Sequence, residues 1–275
     1  MPELAEAETI RRDLGAIYVG LTIASVTVTG LRSVRRHEDP AEFAARVRGR
    51  RLSGAGRRGK YLTLELDSGD VVVAHMGMSG QLLVAAPADE VARHTHVRFA
   101  FDGGPDLRFV DPRTFGQMWV TQPVGGTIAE LAHLGFDPLE DPDAEKRLEM
   151  LMSRPTKLKP LLMDQSRIVG IGNMYADEIL HAAGLRPDRP ASTVSATETG
   201  RLYRSMVSVL EAAIRERGSS LADEQYRDLF GRIGRYQVYH RVYAREGRPC
   251  PRCGATVTRV RTGGRSWYFC PGCQE

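Results

Sequence analysis

The chain has 275 residues, of which 42% are hydrophobic and 26% charged, with a formal net charge of +4. This composition excludes a disordered or low-complexity chain, and the length suits roughly one to three domains, each with a core of its own. No apolar run approaches the ~18 residues needed to cross a bilayer and no signal segment opens the chain, so a cytoplasmic protein without membrane contact is expected.

The opening residues, MPELAEAET, read first as a helix start, because proline suits the first helical turn and acids suit its positive end. They also carry chemistry. With Met1 removed, Pro2 becomes a free secondary amine beside carboxylates, a nucleophile with acid–base partners at hand. Leu4, Ala7, Ile10, Leu14 and Ile17 recur at spacings of three and four, which predicts a helix with Glu3, Glu6, Arg12 and Asp13 off its apolar stripe. Beyond Gly20 the pattern turns to short β-branched or alternating runs, with DSGD and DGGP as hairpin connections. Residues 1–130 are expected to form a β-sandwich carrying the N-terminal helix. Within it, residues 46–60 hold seven basic side chains and no acid, a cluster suited to a polyanion.

Residues 131–143, rich in proline and acid, read as a linker, and 144–230 read as helical. In GIGNMYADEILHAAGLRP, Asn173 is expected to cap a helix that Gly184 closes and Pro187 keeps from resuming. Free N–H groups beside Asn173 would suit a phosphate, although an ordinary helix hairpin explains this segment by itself. Residues 240–275 contain all four cysteines, as Cys250-Pro-Arg-Cys253 and Cys270-Pro-Gly-Cys273 with 16 residues between the pairs. Such spacing fits a structural zinc ion held by four thiolates, and the alternating segment between the pairs, turning at Gly263-Gly264, completes a zinc ribbon. Disulfides are the alternative pairing, disfavoured in a cytoplasmic chain. Nine arginines from Gly231 onward, against Glu246 and Glu275, again point toward nucleic acid.

PEL with E and ET around it, RRGKYL at Lys60, HMGMSG at 75–80, DPRTFG at 111–116, GIGNMYADEIL and the ribbon occur in one order along the whole chain. In this the sequence resembles the bacterial formamidopyrimidine-DNA glycosylases. Ala5 and Ala7 depart from the usual proline and valine, a change in packing rather than chemistry. Leu4, in place of the glycine of a PEGPE opening, argues against the endonuclease VIII branch, whose oxidised-pyrimidine excision stays as the alternative. The resemblance implies an α+β fold of two domains, a β-sandwich with an N-terminal helix and a helix-two-turns-helix domain with a zinc ribbon. It implies a monomeric base-excision enzyme acting on oxidised purines, 8-oxoguanine and formamidopyrimidines, in double-stranded DNA, with one structural zinc ion per chain.

By the same resemblance, Pro2 is the nucleophile, forming a Schiff base with the sugar before β,δ-elimination. Glu3 is the general acid, Glu6 supports it, and Lys60 and Arg265 act near the lesion's phosphates. Lys60 reads equally well as one more phosphate-binding cation. Asn173, His94, Arg113 and Arg154 are implied DNA contacts, with His75 and Lys159 in a second rank; Arg154 stands where a lysine is usual. Met78, Arg113 and Phe115 match the set that fills the space left by an extruded base, and GSSLADEQYRDLFGRIGRYQVYH resembles the loop covering the flipped purine. Two other readings stay open: excision of oxidised pyrimidines, and a lesion-binding protein without turnover. A generic zinc-ribbon module would leave the N-terminal motif unexplained.

Overall fold

The N-terminal stripe builds a helix, α1 (Leu4–Tyr18), with Leu4, Ala7, Ile10, Leu14 and Tyr18 buried. The computed structural model describes residues 2–221 and 224–275. Met1 and its expected removal lie outside the described residues, as do Ala222 and Asp223 of the expected lesion-covering stretch. The polar side of α1 differs from the periodicity argument. Glu3, Glu6, Glu8 and Thr9 are buried as well, where a helix lying on a core leaves its polar face to water. Carboxylates enclosed in this way need polar partners.

Two four-stranded antiparallel sheets follow. One runs β1 (Ile23–Val28), β6 (Thr95–Phe101), β7 (Asp106–Val110), β5 (Gln81–Ala85), and the other β2 (Leu52–Arg58), β3 (Tyr61–Leu66), β4 (Val71–His75), β8 (Gln117–Thr121). Burial alternates strictly along β6, the mark of a strand with one face on a core, and DSGD and DGGP join β3 to β4 and β6 to β7 as expected. Leu62, Leu64, Val72, Phe99, Phe109 and Met118 lie in the common core with α1 and a further helix, α2 (Pro40–Val47). The periodicity reading passed over α2, yet its start was written in the sequence. Asp39 accepts the Ala41 N–H at 2.8 Å and Pro40 opens the first turn.

Four helices, α3 (Ala144–Leu151), α4 (Leu158–Met163), α5 (Asn173–Ala183) and α6 (Ala196–Arg215), precede a hairpin of β9 (Thr258–Thr262) and β10 (Arg265–Phe269). Gly263 and Gly264 both have positive φ, as a tight two-residue hairpin turn requires. The fold is α+β: a sandwich with its helix, then helices and a ribbon.

The chain divides into two compact units, Met1–Ala132 with Glu216–Arg235, and His133–Arg215 with Tyr236–Glu275. This corrects two expected boundaries. Most of the expected linker is packed into the second unit, with Phe136 and Asp137 buried and Gly135 and Phe136 donating to the carbonyls of Gln165 and Arg167. Residues after Arg215 leave the helical region and return to the sandwich. Tyr226 and Leu229 join its core, Leu229 accepts the Val84 N–H at 2.8 Å, and Arg217 pairs with Asp13 and Asp228.

Candidate active site and nucleic-acid interface

Glu3 stands at the N-cap of α1 in extended backbone, and its N–H donates to Glu6 Oε2 at 2.9 Å. The other Glu6 oxygen accepts the Ser219 N–H at 2.8 Å. Gly218, at φ +79°, permits this approach, because a Cβ there would lie 2.8 Å from Glu6 Cγ. Glu6, 1% exposed, therefore has both oxygens engaged. It braces the Glu3 backbone and the returning segment, a positioning role.

Glu8 accepts from Arg11 and Arg12 at 2.8 Å and from Arg57 at 3.2 Å. Burial pushes its carboxyl up, but the Arg11 and Arg12 hydrogen bonds and the Arg57 charge outweigh that and hold it at about 2. Arg57 also donates to the Gly59 carbonyl at 3.2 Å, one residue before Lys60. The chain of contacts ties α1 to the β2–β3 turn, so buried Pro2 and Glu3 open the helix to which the turn bearing buried Lys60 is fastened. His75, across the β3–β4 ladder from Tyr61, stacks on that ring at 4.6 Å. Burial and the positive charges of Lys60, Arg35 and Arg36 push its imidazole down to about 4. Near pH 7 His75 is a neutral, hydrogen-bonding ring and not a cation.

Met78 and Phe115 are 46% and 45% exposed, on two loops fixed to each other. A Cβ on Gly77 would strike the Phe115 carbonyl at 2.8 Å, so only glycine lets these backbones touch. Buried Asp111 joins the loops, accepting from Ser79 Oγ at 2.5 Å, Gly116 N–H at 2.7 Å and Arg113 N–H at 3.3 Å. The Arg113 guanidinium rests 4.8 Å from the Phe115 ring centroid. His94, exposed and at φ +66°, accepts the Asp111 N–H on its carbonyl. Sequence reading passed over Asp111 and Ser79, although both lie inside the quoted motifs. Asp111→Ala strands Gly116 N–H in the interior and is expected to lower stability by about 1–3 kcal/mol, read from denaturant unfolding. An unchanged midpoint would contradict this account of the loops.

In the second unit, the link between α4 and α5 is cross-braced by Asp164, which accepts from Ser166 and Arg167, and by Gln165, which bonds Ile171 and Gly170. The N-cap of α5 is Gly172, and Asn173 is the first helical residue, which corrects the expected cap. The Asn173 side-chain oxygen is buried and has no hydrogen-bond partner among the described residues. Gly184 closes the helix in left-handed backbone, as expected. Arg154 is exposed between α3 and α4, and exposed Arg265 opens β10 beside the hairpin tip.

Lys159 requires a correction. Its side chain is 0% exposed, 2.7 Å from Asp177 Oδ1 on α5 and 3.2 Å from the Ser266 carbonyl on β10. Asp177 Oδ2 accepts the Tyr268 N–H at 3.1 Å. An ammonium buried in this way holds β10 against α5 and has no surface to offer a phosphate. Glu178, next in sequence, accepts the N–H groups of Arg241, Val242 and Tyr243 at 2.8–3.0 Å. Four thiolates around one tetrahedral zinc ion stand about 3.8 Å apart. The Cys250 and Cys273 sulfurs are 3.8 Å apart, those of Cys253 and Cys270 3.3 Å, and all four lie within 4.8 Å of one another. The set fits one zinc ion and leaves no open position for a catalytic water.

Family models match along nearly the whole chain. The formamidopyrimidine-DNA glycosylase N-terminal domain matches residues 1–118, the H2TH domain of the same enzymes 134–225, and the zinc finger found in FPG and IleRS 247–275. The chain belongs to the formamidopyrimidine-DNA glycosylase family. The Pelotomaculum thermopropionicum member is 42% identical over 100% of this chain and 99% of its own. The crystal structure of the MutM (Fpg) protein from Thermus thermophilus superposes with a TM-score of 0.87 at 38% identity, covering 99% and 98% of the two chains. Lactococcus lactis Fpg has been solved with DNA containing N7-benzyl-Fapy-dG, at 30% identity and TM-score 0.87, and with DNA containing an oxidised pyrimidine, at 29% and 0.86. Both match over 100% of each chain. The formamidopyrimidine-DNA glycosylases are bifunctional glycosylase/AP lyases, and the zinc finger is part of the family's architecture. Among the described residues, no helix is long and apolar enough to cross a membrane.

Proposed function

We propose that this chain excises oxidised purines from duplex DNA, as a monomer in the cytoplasm, and cleaves the strand through a Schiff base on Pro2. The observation that carries the reading is the buried start of α1, where Glu6 fixes the Glu3 backbone at 2.9 Å directly after the proline. A terminal amine has a pKa near 8 against about 10.4 for lysine, so far more of it is neutral at pH 7. The Pro2 nitrogen bonds to C1′ while the bond from C1′ to the damaged base breaks, and the base leaves with the electron pair and takes up a proton. Glu3 protonates the ring oxygen, the sugar opens, and the nitrogen lone pair forms the C1′ iminium. Loss of a C2′ proton expels the 3′ phosphate, and loss of the C4′ proton expels the 5′ phosphate. Water then hydrolyses the iminium and returns Pro2. Lys60 and Arg265 serve the departing phosphates, and Asn173, His94 and Arg154 grip the backbone.

Extruding a nucleotide costs a few kcal/mol, which is recovered when side chains fill the space it leaves. Met78 and Phe115, large apolar groups exposed on braced loops, suit that filling, and Arg113 suits hydrogen bonding to the orphaned base. Zinc, when bound, supplies ribbon stability and no chemistry. One observation favours a second reading: the Lactococcus enzyme has been solved with oxidised-pyrimidine DNA. Borohydride reduction on an 8-oxoguanine:cytosine duplex is expected to trap one covalent complex per active chain, with a slower yield on oxidised-pyrimidine duplexes. No trapped species, with Met1 shown to be absent, defeats the Schiff base. A reversed lesion order defeats the purine assignment alone.

A further inference from the structure

Within the second unit, α5 meets the metal-binding segments through successive residues of one face. Asp177 bonds Tyr268, Glu178 bonds residues 241–243, and Gly184 accepts the Glu275 N–H. Between them lies His181, buried, with Nε2 3.3 Å from Cys250 Sγ and 3.7 Å from Cys273 Sγ. Those cysteines come from opposite CxxC pairs. His181 Nδ1 is also buried and has no hydrogen-bond partner among the described residues.

We infer that His181 is a positioning residue of the zinc site, its Nε2–H donating to the Cys250 thiolate with Cys273 beside it. A neutral imidazole carries one N–H, and its bonded nitrogen decides where that proton is useful. Among the described residues Nδ1 has no acceptor, and Nε2 faces the sulfurs of Cys250 and Cys273. Four thiolates on one Zn2+ leave the cluster formally twice negative, and such charge needs donors when water is kept away. The Arg252 N–H, 3.4 Å from Cys250 Sγ, is a second donor to the same sulfur. His181 does not belong in the coordination sphere, since four sulfurs already complete a tetrahedron and 3.3–3.7 Å is hydrogen-bond range to sulfur. The contact joins α5, which begins at Asn173, to the ribbon that carries Arg265, so the metal site and the helix share one fixed geometry.

The test uses the full-length zinc-loaded protein and the substitutions H181F, H181L and H181Q, with folding checked by far-UV circular dichroism. Phenylalanine and leucine remove the donor with different shapes, while glutamine keeps an N–H at comparable reach. Zinc transfer to a colorimetric chelator is expected to become roughly 10–100-fold more favourable in H181F and H181L, and H181Q to stay near wild type. In the cobalt-substituted proteins, the thiolate-to-metal charge-transfer band is expected to move to lower energy in the two donor-free variants only. Wild-type zinc retention in H181F or H181L overturns the inference. So does equal zinc loss in all three variants, which would mark a packing effect. A wild-type cobalt band with the intensity of three thiolates also overturns it, placing the imidazole on the metal. If one donor-free variant fails to fold, the other and the wild-type cobalt spectrum decide.

Discussion

Glu3→Gln is expected to lower excision of 8-oxoguanine by roughly 10²–10⁴-fold, the range for removing a positioned general acid, while duplex affinity stays within about twofold. Glutamine keeps the shape of the side chain. The backbone N–H of this residue donates to Glu6, a brace the substitution leaves in place, and the other half of the capping box, the side chain accepting the Glu6 N–H, is one a glutamine oxygen can also make. In the proposed mechanism it removes the proton for the sugar ring oxygen. An abasic sugar already equilibrates with its open aldehyde, which Pro2 can attack without ring opening by acid. The loss on a preformed abasic site is therefore expected to be smaller than on the intact lesion. Single-turnover cleavage of the two duplexes measures both numbers. Equal losses would mean that Glu3 serves the eliminations rather than the opening step, and wild-type rates on both would remove it from the chemistry.

The sequence was most informative where partners are close along the chain. The CxxC pairs announce the metal site because each pair is local and the hairpin between them alternates. The α1 stripe predicts its helix for the same reason. Its buried acids were not legible, because Glu6 finds Ser219 across 213 residues and Glu8 finds Arg57 across 49. Lys159 misled for a related reason. A lysine is taken to reach solvent unless its partner is known, and Asp177 becomes that partner only once α4 and α5 pack together. Asn173 followed the preference of asparagine for helix caps, yet Gly172 holds the cap and leaves the asparagine amide within the first turn. The motif DPRTFG drew attention to Arg113 and Phe115, whereas the residue that shapes the loop is Asp111, through Ser79 on another strand connection. Patterning thus identifies groups with chemistry, and tertiary contacts decide which are presented and which act as braces.

Cys270→Ser is expected to release the zinc, weaken duplex binding by about 10–100-fold, and leave the sandwich unit folded. Apart from its polar bonds to α4, α5 and the residues just after α5, the ribbon has little core of its own. Its buried cluster is Val242, Cys250, Val257 and Cys270, two of them ligands, and a two-stranded hairpin is marginal without further support. Structural zinc supplies about 10–16 kcal/mol in small finger domains, and a serine hydroxyl is a poor substitute for a thiolate. Losing the order of the hairpin tip costs the phosphate contact proposed for Arg265 and leaves the sandwich intact, because its core is a separate cluster. One charge-assisted phosphate contact at about 1.5–3 kcal/mol accounts for the affinity loss. The salt dependence is expected to become shallower by about 0.9 for each phosphate given up, which anisotropy titrations at several salt concentrations measure. An affinity loss with an unchanged salt slope would assign the ribbon a supporting role away from phosphate. The residual binding is informative in its own right. Lys159 and Asp177 hold β10 at Ser266 and Tyr268 without any metal, so the strand stays anchored at two points when the thiolate is removed. If binding vanished entirely, the metal, and not α5, would be what sets the position of β10.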